Sequence, residues 1–141
     1  MRTLSLAAAT LALCLGARAG AATDVDVLPP AHTQGSVTYS SGGIATDQQA
    51  AMRRAASDYP LEVTFVESNA GHGLFTADVH VTITDRAGNI VLDTRSDGPY
   101  LLVRLPNGRY TITADNTGRI TSRQVTIEQG THRAVMFDWK A

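Results

Sequence analysis

Three side chains in this sequence have the types and spacing to hold a metal ion: His72, Asp78 and His80. Residues two apart on a strand point to the same face, so Asp78 and His80 share one side, with His72 in a loop just upstream. Imidazole and carboxylate together suit zinc or copper. The competing reading makes His80 a solvated face residue and His72 an ordinary loop residue. The remaining histidines, His32 and His132, stand apart in sequence.

A second constellation is cationic. Arg104, Arg109, Arg119, Arg123 and Arg133 fall at polar positions in the C-terminal part of the chain. Gathered on one face, their guanidinium groups would recognise carboxylates or acidic glycans. The alternative is a solvated surface balanced by Asp93, Asp97 and Asp115. Lys140 is the only lysine, and acidic and basic residues nearly cancel at a net charge of −1, so no basic stripe marks a nucleic-acid partner.

Catalytic signatures are missing. There is no His-Glu-x-x-His, no Gly-x-Ser-x-Gly, and no glycine loop ending in Lys-Ser or Lys-Thr. Gly42-Gly43 lacks the rest of a dinucleotide fingerprint. The one cysteine, Cys14, lies in the first residues. The sequence thus predicts a protein that is not an enzyme and takes no cofactor.

Those first residues read as an export signal. Arg2 supplies a positive start, an apolar run extends from Leu4 to Leu15, and small residues follow through Ala22. Ala17-Arg18-Ala19 fits the small-x-small rule, so residues 1–19 are the expected signal peptide, with Ala21 or Ala22 as later cleavage points. The run is shorter than the roughly 20 residues that span a bilayer. Cleavage would remove Cys14 and leave a periplasmic or secreted chain without disulfides, held together by packing. Residues 20–34, with Pro29-Pro30, are expected to form an extended leader, and 35–141 one small domain.

Within that domain the periodicity predicts one helix. Over 46–59, Met52, Ala55, Ala56 and Tyr59 recur at helical spacing, Thr46 and Gln49 form a capping-box pattern, and Pro60 stops the run. The rest alternates with period two, except that Tyr100 to Leu105 is more continuously apolar. Leu61 to Phe65, Ala77 to Thr84, Ile90 to Thr94, Tyr100 to Leu105, Arg109 to Ala114, Ile120 to Ile127 and Arg133 to Trp139 all read as strands separated by Gly, Asn and Asp turns. Val135, Phe137 and Trp139 share a face, which favours burial of Trp139 over a role as a partner anchor. The expected fold is mainly β: an antiparallel Ig-like or prealbumin-like sandwich of about seven strands with one accessory helix.

One stretch carries a resemblance. Val79 to Asp85, then Gly88, then Ile90-Val91-Leu92, and finally Leu105-Pro106-Asn107-Gly108-Arg109-Tyr110 resemble carboxypeptidase regulatory-like domains. These are small prealbumin-like sandwiches with a "D-x-x-G" turn and an "L-P-x-G-x-Y" strand opening, and the likeness covers roughly residues 75–139. The upstream part is similar to stand-alone exported bacterial proteins carrying this domain. The resemblance speaks for fold and hardly for function. The prealbumin-like group also includes hydroxyisourate hydrolase, whose members end in a Tyr-Arg-Gly-Ser tail. This chain ends Phe137-Asp138-Trp139-Lys140-Ala141, so no catalytic residue carries over.

Taken together, the sequence predicts a binding or structural module of the bacterial envelope that holds a protein partner by a sheet face, an edge strand or loops. A small-ligand or metal-binding periplasmic protein is the alternative. An uncovered edge would speak for the first and a concave polar pocket for the second.

Overall fold

The computed structural model describes residues 28–140. The expected signal peptide with Cys14, its cleavage points and the start of the leader lie outside the described residues. The elements run β1 (His32–Gln34), β2 (Val37–Gly42), α1 (Thr46–Ala55), a 3₁₀ turn (Ala56–Asp58), β3 (Leu61–Asn69) and β4 (His72–Phe75). There follow β5 (His80–Thr84), β6 (Ile90–Arg95), β7 (Tyr100–Arg104), β8 (Gly108–Asn116), β9 (Arg119–Ile127) and β10 (Arg133–Lys140).

The expected sandwich is present, with ten strands rather than about seven. One sheet has the order β1-β2-β7-β3-β10, with β4 pairing to the far half of β3; the other is β6-β5-β8-β9. All pairs are antiparallel except β3 with β10, which run parallel over eight residues from Arg133 opposite Leu61 to Lys140 opposite Ser68. Between the sheets lies the main core, where Phe65, Phe137 and Trp139 stack with ring centroids 6.0–6.4 Å apart. Trp139 is a core residue, 5% exposed.

Strand β7 explains its own continuous apolar run. Leu101 and Val103 face the main core, while Tyr100 and Leu102 face Met52 and Ala56 beneath the helix. A strand covered on both faces has no polar side to alternate with. The helix therefore lies on the outer face of the first sheet. Its start differs from the expected cap. Ala45 is the N-cap and has no side-chain cap bond, and Thr46 is already helical. Gln48, not Gln49, reaches back, accepting from the Gly43 amide at 2.7 Å. The helix tightens to 3₁₀ at Ala56 and ends before Pro60, whose ring disfavours helical backbone in the residue ahead of it.

Two further differences have local causes. The tail of the predicted leader is seated in the fold: Pro29 is buried, its carbonyl accepts from Ser40 Oγ at 3.1 Å, and β1 pairs with β2. Predicted strand 77–84 starts only at His80, because Asp78 has φ +60° and breaks the alternation. Ser96 receives that kink, its carbonyl and Oγ accepting from the amides of Asp78 and Val79 at 2.8 and 3.0 Å.

Candidate functional site

The Asp78 kink also separates the expected metal ligands. His80 Nε2 meets Asp93 Oδ1 of β6 at 2.6 Å, whereas Asp78 Oδ1 accepts from Arg95 Nη1 at 3.3 Å. His72 lies on β4, in the other sheet. Among the described residues no three His, Cys, Asp or Glu side chains are grouped to hold a metal.

The five arginines divide among three places. Arg109 lies on the outer face of its sheet, alternating with inward Tyr110 and opposite Thr126. Arg104, at the end of β7, sits in a cleft at one end of the sandwich beside Tyr59. Arg119, Arg123 and Arg133 belong to β9 and β10, which run side by side as edge strands of the two sheets. No single arginine face forms, because the register of β9 sets Arg119 and Arg123 opposite Asn116 and Ile112, on the side away from Arg109.

On this flank β9 and β10 lie side by side without pairing to each other. At one end the two edges are tied together. Trp139 Nε1 donates to the Arg119 carbonyl at 3.0 Å, Arg119 Nη1 donates to the Lys140 carbonyl at 3.2 Å, and Arg119 Nη2 pairs with Glu67 at 3.1 Å. Away from that tie lies a groove of about 310 Å³ lined by Arg123, Gln124, Ala134, Val135 and Met136.

The parity of β10 decides what the groove offers. The Arg133 amide donates to the Pro60 carbonyl at 2.8 Å, so Arg133 turns its backbone toward β3. In a parallel ladder alternate residues bond to the same neighbour. Val135, Phe137 and Trp139 therefore bond inward, and Ala134, Met136 and Asp138 direct their amides and carbonyls outward. The Lys140 carbonyl obeys this parity, since it faces out and is taken by Arg119. Met136 is also 57% exposed. The other edges are blunted: β1 and β4 are short, and β6 carries a register shift against β5. Sequence patterning did not single out this edge, because the parallel pairing that leaves it open is set by the whole topology.

His132, which the sequence left aside, proves structural. Its Nδ1 lies 2.8 Å from the Tyr59 carbonyl and its Nε2 3.1 Å from Glu62 Oε2, which pins the β9–β10 loop to the start of β3.

Comparison with known proteins gives a family and some distant likenesses. A family model described as the Rhizobiales growth-associated tandem repeat domain matches residues 61–137. No curated protein matches the chain. Among solved structures, the Bacillus anthracis TIE protein is similar at 15% identity and a TM-score of 0.44, over 57% of this chain. The chain spans only 16% of that protein's length. Klebsiella pneumoniae 5-hydroxyisourate hydrolase is similar at 14% identity and a TM-score of 0.42, over 56% of this chain and 89% of the hydrolase. The protein described as S.CueP is similar at 12% identity and a TM-score of 0.39, over 53% of this chain and 59% of its own. The family that matches is not the carboxypeptidase regulatory-like group, and the likeness to that group stands at the level of the sandwich.

Proposed function

We propose that this chain, which belongs to the Rhizobiales growth-associated tandem repeat family, is a non-enzymatic binding module of the bacterial envelope that takes an extended segment of a partner protein along β10. The observation that carries this reading is the outward row of backbone groups at Ala134, Met136 and Asp138, on an eight-residue strand fully in register with β3. An added strand would satisfy those groups with main-chain hydrogen bonds, and side-chain contacts in the adjoining groove would supply selectivity. Arg123 lines the groove and Arg133 precedes it, and among the described residues neither is in an ion pair, so an acidic segment fits best. The reading places the chain in the periplasm or outside the cell, consistent with the signal-like residues 1–19. Among the described residues no helix is long and apolar enough to cross a membrane.

The test is affinity capture from envelope extract with the purified protein beside Met136→Pro. Proline removes one outward amide and leaves the β3 ladder intact, as edge strands tolerate. A partner retained by the native chain and lost with Met136→Pro, and weakened by Arg123→Glu with Arg133→Glu, supports edge capture. A partner retained equally by all three proteins overturns it.

A further inference from the structure

Separate from the β10 flank, a cleft of about 560 Å³ opens at one end of the sandwich, where the 3₁₀ turn, the β7–β8 turn and the β9–β10 loop converge. Its size falls in the range of about 300–1,000 Å³ usual for small-ligand sites. We infer that this cleft binds a monocarboxylate carried on an apolar group, with Arg104 as the carboxylate receptor.

Arg104 is held in place before any ligand arrives. Its guanidinium carbon lies 4.9 Å from the centroid of the Tyr59 ring, and its Nη2 donates to the Asp58 carbonyl at 3.0 Å. Stacking and one tether fix the plane of the fork and leave its other donors for a ligand. Arg104 forms no ion pair among the described residues, although Asp58 and Glu128 line the same cleft. A fixed guanidinium outside any ion pair, in a concave site, is suited to a planar oxyanion met two donors at a time.

The walls are tethered independently. Tyr110 Oη donates to the Pro106 carbonyl at 2.7 Å, His132 bridges the Tyr59 carbonyl and Glu62, and the Thr131 amide closes the loop turn onto the Glu128 carbonyl at 3.1 Å. Such preorganisation lowers the ordering cost of binding. The Tyr59 ring, Pro60, Pro106 and Ile127 give the site an apolar component. The carboxylates of Asp58 and Glu128 repel a multiply charged anion, so the charge pattern selects a monoanion over a phosphate. Both a free organic acid and the C-terminal carboxylate of a peptide have this chemistry.

The test is a heteronuclear NMR titration of the purified protein with N-acetyl-phenylalanine, its uncharged amide, 3-phenylpropionate and inorganic phosphate. Saturable shifts confined to the Arg104 side chain and to residues 58–60, 106–107 and 128–132 are expected with N-acetyl-phenylalanine. The amide should bind about tenfold more weakly or worse, and Arg104→Gln should weaken the acid by a similar factor while Met136→Pro leaves it unchanged. Equal binding by 3-phenylpropionate identifies a small organic acid as sufficient; binding by N-acetyl-phenylalanine alone identifies a peptide terminus. The inference is overturned if acid and amide bind alike, if phosphate binds as tightly as the acid, if Arg104→Gln binds as well as the native protein, or if no localised shift appears up to about 10 mM.

Discussion

Tyr110 closes the turn that precedes it, its hydroxyl donating to the Pro106 carbonyl at 2.7 Å across four residues. The motif Leu105-Pro106-Asn107-Gly108-Arg109-Tyr110 is therefore a self-contained corner. Pro106 begins the turn, and Gly108 opens β8, where an added Cβ would meet the Tyr110 side chain at an ordinary 3.4–3.5 Å. The same bond holds one wall of the end cleft in place.

That corner predicts an alkaline weakness. Burial first, and then the negative charge of Asp85, raise the Tyr110 pKa above the ordinary value near 10. The folded state therefore keeps the phenol proton at a pH where the unfolded chain has lost it. Its contribution is complete below the unfolded pKa and is lost as pH rises from about 10 through the higher folded value. Urea denaturation across this range should show stability falling with pH, with a shallower fall in Tyr110→Phe. At neutral pH the phenylalanine variant should be about 1 kcal/mol less stable, because the Pro106 carbonyl loses its donor. Identical pH slopes for the two proteins would remove Tyr110 as the cause.

The helix should be integral to stability although it lies outside the main core. Met52 is fully buried against Ala56, Tyr100 and Leu102. Truncating such a side chain leaves a cavity, so Met52→Ala should cost about 3 kcal/mol in denaturant unfolding. A loss below about 1 kcal/mol would mean that the helix detaches without unfolding the sandwich.

How much of this was legible in sequence depends on whether the deciding force is local. The alternations of Leu61–Phe65 and Arg109–Ala114 named their strands and inward faces because each strand has one wet side. The double burial of β7 was visible as an unbroken apolar run. β4 was not visible, since all four of its residues are exposed and no alternation marks it. The metal grouping failed at Asp78, where a single positive φ in a non-glycine residue broke the parity that had joined it to His80. The arginines read as one set because position alone does not reveal strand register or which strands become edges. The cleft was hidden for the same reason, as its walls come from Tyr59, Pro106 and His132, three segments far apart in the chain.

Two hairpin turns carry residues poorly suited to their backbone. Thr117 and Gly118 both have positive φ, +52° and +90°, in the two-residue loop joining β8 to β9. A β-branched residue is disfavoured in that conformation, whereas asparagine accepts it readily. Thr117→Asn should stabilise the protein by about 1 kcal/mol, a rise of roughly 4–8 °C in Tm for a domain of this size. The Ala70-Gly71 turn between β3 and β4 has the same form, with φ +48° and +84°, so Ala70→Asn should act in the same direction. An unchanged or lowered Tm in both variants would show that the turns relax to another conformation in solution.

The open edge has its own signature in the free protein, before any partner is known. Along β10 the amides of Val135 and Phe137 point toward β3, while those of Ala134, Met136 and Asp138 point away from it, as the Arg133-to-Pro60 bond requires. Hydrogen exchange followed by NMR should therefore alternate residue by residue, with the outward amides exchanging about 100-fold faster or more than their inward neighbours. β5, paired on both sides by β6 and β8, should show uniform protection and serves as the internal comparison. Uniform protection along β10 at all protein concentrations would mean that the edge is covered within one chain, and the strand-capture reading would fall. Protection that appears only as concentration rises would show that a second copy pairs there, with the same outward amides as its contacts.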